Sequence, residues 1–461
     1  MRFILFLLAA LPLLGASRPN VLWIYVDDMS DWLGCYGHTA VPTPNIDALA
    51  AEGTRFDRAY MPAPVCSATR SALITGMMQT SLGLHHHRTM IKKPLPKEIR
   101  TLPAHFRRAG YVTFNEAKDD YNFDEPRLHL YSHEFGTKSH FSGDLEWISE
   151  LKEKPFFGQI QLKGGKLGGE TGAKFPSQSR VDPATVDVPP FYPNTKVFRD
   201  AIARHYEQVA VVDAEVGAII AALKKNDLFE STIVVFFTDH GSPLPREKQN
   251  LYEAGLKVPL IFRGPGIPPG KVRKDLVSGI DISSTSLSFL NLRLPKNFEG
   301  GDLFDKEYKL REFVIGARDR LGVAIDRVRT VRTDHFRYIR NYHADRPVYQ
   351  LQYREKYATL KELRKLYAQG GLSPVQAWYH DATQRPREEL YDLRSDPYQV
   401  KNLAADPSVA DELERHRKLL EGWENETGDM GRVPASRDEL EAVYKQAKGK
   451  VANPEYDFLK K

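Results

Sequence analysis

Residues 20–28 read Asn-Val-Leu-Trp-Ile-Tyr-Val-Asp-Asp (NVLWIYVDD), an apolar run, Asn20–Val26, that stops at two carboxylates. A run without polar alternation is what a central parallel strand needs, because helices cover both of its faces. The same pattern returns in Thr232–Phe237 (TIVVFF), followed by Thr238 and then Asp239-His240-Gly241. Helical segments lie between the two runs. Thr43-Pro44 open one through Ile46, Leu49 and Ala50 that stops at Gly53, with proline just inside its start and glycine just past its end. Ala201–Leu223 repeats apolar residues at helical spacing through Val209, Val212, Val216, Ile219, Ile220 and Leu223. Strand and helix in alternation predict an α/β fold, a large mostly parallel sheet flanked by helices on both faces. Ligands of such a sheet sit beyond the carboxyl ends of its strands, so Asp27, Asp28, Asp239 and His240 are expected in one crevice. Three carboxylates there repel one another unless a cation lies between them, and an oxygen-rich set favours Ca²⁺ or Mg²⁺ over zinc.

The rest of the chain bounds the answer. Its 461 residues, 41% hydrophobic and 27% charged, have globular composition and exclude a collagen, a coiled coil or a disordered chain. Two cysteines, Cys35 and Cys66, are too few for a disulfide framework or a thiolate zinc site, although they could bridge each other. A net charge of +5 spread over this length carries no basic stripe, so no nucleic-acid partner is expected. Arg2, the apolar run Phe3–Leu14 and the small residues Gly15, Ala16 and Ser17 match a secretory signal over residues 1–17, too short to span a bilayer. No later segment is apolar enough for a membrane helix, and a periplasmic or secreted protein is expected. The texture changes near Arg311. Strand-like pieces (Arg327–Arg332, Phe336–Asn341) and a charged helix around Asp411–Gly422 predict a smaller C-terminal α+β subdomain over 311–461, after a catalytic domain over 18–310. Gly164–Lys174 reads as a glycine- and lysine-rich loop, and Asp187–Asn194 as an extended proline segment.

Cys66-Ser67-Ala68-Thr69-Arg70 leads into an apolar stretch ending at Gly76, which sets Cys66 at a helix N-terminus, where free N–H groups favour an anion. The order Asp-Asp, then Cys-x-Ala-x-Arg, then Asp-His-Gly resembles the sulfatase family, a branch of the alkaline-phosphatase-like superfamily. The resemblance spans PNVLWIYVDDM, TPNIDALAAEGTRFDRAY, VCSATRSALITG, TIVVFFTDHG, LYEAGLKVPLIFRGPG and ELYDLRSDPYQVKNLAADP in the family's order. It implies that Cys66 is oxidised by a formylglycine-generating maturation enzyme. The hydrated aldehyde is a geminal diol; one oxygen attacks the sulfur of a sulfate ester and the other later expels sulfate. By the same resemblance Asp27, Asp28, Asp239 and His240, with residue 66, hold one Ca²⁺, Arg70 steadies the formylglycine, and Lys118 and Lys248 contact the sulfate.

Two departures bear on proton transfer. Where the family commonly has Gly-Lys-Trp-His, this chain has Ala117-Lys118-Asp119-Asp120, so Asp120 replaces a histidine that takes a proton from the diol. In PFFGQIQLKGGK the family's Pro-His is absent and Lys166 falls near its place. Protonation of the leaving group then falls to Lys166, Lys248 or one of His85, His86 and His87, which follow the nucleophile segment and are expected to bind substrate. Ala68 also stands where the family usually has proline. Three functions compete: a sulfatase acting on an extracellular sulfated carbohydrate, a phosphate or phosphonate ester hydrolase of the same superfamily, and a non-catalytic sulfated-glycan-binding protein. The intact metal set, Cys66 and Arg70 favour the first. Arg88, Lys92 and Lys93 read either as a site for a polyanionic chain or as a solvated charge run.

Overall fold

The computed structural model describes residues 18–133, 143, 145–166 and 181–460. The expected signal over 1–17 and most of the Gly164–Lys174 loop lie outside them. Among the described residues twelve strands form two sheets. The first holds β1 (Asn20–Val26), β2 (Thr54–Tyr60), β3 (Val112–Glu116), β4 (Phe156–Leu162), β5 (Thr232–Thr238), β6 (Lys257–Arg263), β7 (Lys271–Arg273) and β8 (Val277–Ser278), in the order β3-β4-β1-β5-β6-β2-β7 with β8 also on β2. The run β3-β4-β1-β5 is parallel throughout, whereas β6 lies antiparallel to both β5 and β2.

The two-sided burial of β1 is explicit. Val21, Trp23 and Tyr25 point into one core cluster, and Leu22, Ile24 and Val26 into another. The second cluster is closed by helices Pro44–Ala51 and Lys196–Lys225 through Ile46, Leu49, Val209, Val212, Val216 and Ile219. The first is closed by Leu73 and Ile74 of helix Cys66–Thr75 and by Ile282 and Leu287 of helix Ile280–Ser288. Each fully buried side chain of this size contributes about 1.5–3 kcal/mol, so both faces are needed to hold the central strands. The long helix starts five residues before the expected Ala201, where Phe198 extends its buried apolar face by one turn.

The second sheet, β9 (Val314–Arg318), β10 (Val328–Arg332), β11 (Phe336–Asn341) and β12 (Glu388–Asp392), is antiparallel in the order β12-β11-β10-β9. Helix Ala410–Thr427 packs on it through Leu413 and Leu420, and the same cluster takes in Ala72 of the Cys66 helix and Met78 just beyond its end. The smaller sheet therefore braces the helix that carries Cys66. Among the described residues no helix is long and apolar enough to cross a membrane.

Candidate active site

Strand register builds the site. Val26 of β1 stands opposite Thr238 of β5, so the residues that follow, Asp27 and Asp239, leave the sheet abreast. The Asp239 N–H donates to the Val26 carbonyl at 3.0 Å and the Asp27 N–H to the Leu162 carbonyl at 3.0 Å, which ties the ends of β5, β1 and β4 together. Beyond β4 the chain turns at Gly164-Gly165. Their α-carbons pass so close to Asp27 and Asp28 that a Cβ on either would lie 2.1 Å from a carbonyl oxygen of that pair. The turn delivers Lys166, while Lys118 follows β3.

Cys66 is the first residue of helix Cys66–Thr75 and is buried. Its Sγ lies 3.3 Å from Asp27 Oδ1, 3.5 Å from Asp28 Oδ1 and 3.3 Å from His240 Nε2. Ligand atoms of Asp27, Asp28, Cys66, Asp239 and His240 all fall within 4.8 Å of one another. His240 Nδ1 sits 2.9 Å from the Gly241 carbonyl, which leaves Nε2 aimed at the carboxylates. Carboxylates and an imidazole gathered this closely, all buried, fit a hard divalent cation.

Four cations surround the carboxylates. Lys248 Nζ lies 2.6 Å from both Asp28 oxygens and 3.4 Å from Sγ. Lys118 Nζ lies 2.8 Å from Asp27 Oδ2; Lys166 pairs with the same oxygen and stands 3.6 Å from Sγ. Arg70, one turn below Cys66, donates to Asp239 Oδ2 at 3.3 Å and to Gln161 Oε1 at 2.6 Å, with its guanidinium over the Tyr25 ring. Burial and Asp27 both push the Cys66 thiol up, yet Lys118, Lys166 and Lys248 outweigh them and bring it down to about 6. Burial, then the neighbouring Asp27, pushes the Asp239 carboxyl up. Asp28 is held low by Lys166 and Lys248 against the larger opposing effect of burial. The pocket therefore favours a negative charge at the position of Sγ.

Backbone strain gathers in the same place. Asp28, Arg88, Ala117, Asp120, Arg246 and Gln249 all adopt positive φ without being glycine. Left-handed backbone at such residues costs about 1–3 kcal/mol each, and it persists where surrounding contacts fix it.

Not every expected residue arrives as read from the sequence. Asp120 contacts Lys118 at 3.2 Å and Arg88 at 3.1 Å. Against burial, those two cations hold its carboxyl well below the usual range, so it is a charged anchor for Lys118 and a poor proton acceptor. Of the three histidines only His87 faces the pocket, where Arg88, Lys248, Asp120 and Lys118 act on it. His85 and His86 turn away toward Asp319, Arg320, Arg329 and Asp429, and neither ring nitrogen of His85 has a hydrogen-bond partner. Gln161, which orients Arg70, was missed. Its signal was available: Gln159 and Gln161 are polar residues inside the otherwise apolar β4. Cys35 and Cys66 are both free thiols, so they do not bridge.

Residues 19–292 match the family model described as Sulfatase. The chain belongs to the sulfatase family. This sulfatase is 31% identical to an ulvan-active sulfatase of Formosa agariphila, over 91% of its own length and 77% of that protein. It is 30% identical to the human N-sulphoglucosamine sulphohydrolase, over 92% and 93% of the two chains. Among solved structures it resembles the phosphonate monoester hydrolase of Agrobacterium radiobacter, with a TM-score of 0.68 at 18% identity, covering 89% of this chain and 96% of that one. That last likeness is one of fold.

The misplaced histidines give a stability prediction for this sulfatase. Burial pushes His85 down and His86 well down, and Arg320 and Arg329 oppose their charging while Asp319 and Asp429 favour it only at His85. The unfolded chain then binds more protons than the folded one, so stability is full above about pH 6.5 and falls as pH drops below it. Thermal unfolding at pH 7.5 and 5.5 should show a drop for the wild type that shrinks in a His85→Gln, His86→Gln double variant; equal drops would refute the assignment.

Proposed function

We propose that this chain hydrolyses a sulfate ester on a carbohydrate outside the cytoplasm, using formylglycine at position 66 and calcium. The observation that carries the reading is the meeting of Cys66 with three carboxylates, one imidazole and three ammonium groups at a helix N-terminus. The carbohydrate is supported by the relatives named for ulvan and for N-sulphoglucosamine, and the location by the signal-like segment at residues 1–17.

Asp27, Asp28, Asp239 and His240, with residue 66, are the groups that would hold calcium. When bound, the ion lowers the pKa of the nucleophile and neutralises charge on the transferring group. Lys118 and Lys248 grip the sulfate oxygens from two sides, and Asp120 keeps Lys118 in position. Arg70, fixed by Gln161 and Tyr25, holds the nucleophile's side of the pocket in register with Asp239. The group placed to give the leaving oxygen its proton is the Lys166 ammonium, which reaches the pocket from the β4 turn where the family's histidine is missing; against burial, Asp27 and Asp28 raise its pKa, so it is a weak acid.

Lys166→Ala should slow a sugar sulfate by about 10²–10⁴-fold, the usual range for a lost general acid. An activated aryl sulfate, whose leaving group needs no proton, should lose far less, and equal losses on both would remove Lys166 from that role. The family reading itself is tested with matched 4-nitrophenyl sulfate and phosphate. A large preference for phosphate would favour the ester hydrolase alternative.

A further inference from the structure

A short turn from the C-terminal part of the chain, Tyr353–Lys356, comes down on the rim of this pocket. Its anchor is Arg354, fully buried, whose guanidinium donates to the carbonyls of Pro243 and Lys248 and to Gln249 Oε1. With Arg354 held against the Lys248 segment, Tyr353 stacks on His87 at a centroid distance of 5.5 Å and 24° between planes, and yet it remains 44% exposed. One face of the ring is covered by His87, the residue before Arg88, and Arg354 next to it binds the Lys248 carbonyl.

Arg88 is held just as deliberately. Its N–H donates to Ser67 Oγ at 2.8 Å, next to the nucleophile, and its backbone takes φ +60°. Nε and Nη2 bind the two Asp120 oxygens at 3.1 and 3.3 Å, while the side chain is still 57% exposed. The Nε–Nη2 edge of the fork is thus spent on Asp120, while Nη1 makes no hydrogen bond to the described residues and the side chain stays open to solvent.

We propose that Tyr353 and Arg88 form a subsite that reads the sugar, resting on the sulfatase reading above. Tyr353 covers the apolar face of the pyranose ring carrying the sulfate. Arg88 pairs with a second negative group, a carboxylate or another sulfate, on that ring or its neighbour. An aromatic face excludes water from the C–H side of a sugar, and a guanidinium edge matches the two oxygens of a carboxylate or sulfate.

The test uses calcium-loaded enzyme with residue 66 modified, and four substrates: 4-nitrophenyl sulfate, a neutral monosulfated disaccharide, a monosulfated disaccharide bearing a uronate, and a disulfated disaccharide. The wild type should prefer the doubly anionic sugars, and the uronate and disulfate arms separate the two sources of the second charge. Tyr353→Ala should raise KM for the disaccharides at least about tenfold more than for the aryl sulfate, with Tyr353→Phe restoring it. Arg88→Ala should erase the preference for a second charge, and Arg88→Lys should restore part of it. If Tyr353→Ala fails to fold, Tyr353→Leu against Tyr353→Phe reads the same difference. An unchanged KM, a loss equal on all four substrates, or a wild type indifferent to the second charge overturns the subsite while leaving the sulfatase reading intact. A wild type that turns over none of the four overturns the sulfatase reading first, and the subsite with it.

Discussion

Cys66→Ala is expected to leave a folded protein whose turnover of sulfate esters is reduced by about four orders of magnitude or more. The size of the loss follows from what surrounds Sγ. Every functional group of the pocket is arranged around that one atom, within 3.6 Å for His240, Lys166, Lys248, Asp27 and Asp28. The neighbouring hydroxyls cannot take over: Ser67 bonds the His86 carbonyl and the Arg88 N–H, and Thr69 donates to the Ala63 carbonyl. The fold should tolerate the change, because Ala68, Ala72, Leu73 and Ile74 supply the apolar contacts of this helix. Cys66→Ser should be as inactive as alanine when produced with a maturation enzyme that acts on cysteine, since a serine hydroxyl at this position is not the aldehyde. In the wild type the peptide containing Cys66 should be lighter by about 18 Da than its sequence mass, the replacement of sulfur by oxygen with loss of two hydrogens. Full activity from a chain whose residue 66 is still a thiol would overthrow the mechanism.

What the sequence discloses about this site is the part carried by strands and helix ends. Where a buried run stops at Val26 or Thr238, the next residue must leave the sheet at its carboxyl edge, and parallel register then sets Asp27 beside Asp239. Cys66 and Arg70 are one helical turn apart, so their common face follows from spacing alone. The sequence was silent where the backbone is irregular. His85, His86 and His87 are consecutive residues of a loop, and nothing in their order tells that only the last enters the pocket. Left-handed φ at Arg88 and Asp120 redirects both side chains toward each other, a conformation few non-glycine residues adopt and no local pattern announces. The resemblance suggested that Asp120 stands in for a base; against burial, two flanking cations instead favour its charged form so strongly that it accepts a proton poorly, an effect of packing between segments distant in sequence. Tyr353 lay further still from any motif, since it reaches the pocket only because Arg354 binds carbonyls around Lys248.

The charge arithmetic of the pocket explains why histidines could be dispensed with. Asp27, Asp28, Asp239 and Asp120 face Lys118, Lys166, Lys248, Arg70 and Arg88, so four carboxylates meet five cations and one excess positive charge remains before any ion or substrate enters. A sulfate monoester brings one negative charge. Lys166, near the position of one missing histidine, keeps its charge throughout the physiological range, which binds an anion more strongly at the cost of a harder proton release. That excess is in line with the second anionic group proposed for Arg88.

Asp239→Asn is the second change expected to be decisive, and it acts on the ion. Asp239 is fully buried; Oδ1 accepts from the Asp28 N–H at 2.9 Å, and Oδ2 accepts from Arg70. Asparagine keeps the shape and can keep the bond from Asp28, so the backbone at the end of β5 should hold. It removes one of three negative charges from a buried donor set, and a hard cation is bound mainly by that charge. Calcium affinity should fall by on the order of 100-fold or more. Wild-type activity should vanish on exhaustive chelation and return with calcium, whereas the variant should need correspondingly higher calcium for any recovery. Thermal unfolding reports the same difference without activity, since a ligand at 1,000 times its Kd stabilises the folded state by about 4 kcal/mol. The wild type should therefore gain several degrees in calcium over chelator, and the variant should gain little at the same concentration. Undiminished wild-type turnover in chelator, or a calcium-induced shift as large in Asp239→Asn as in the wild type, would show that these carboxylates serve the lysines and not a metal.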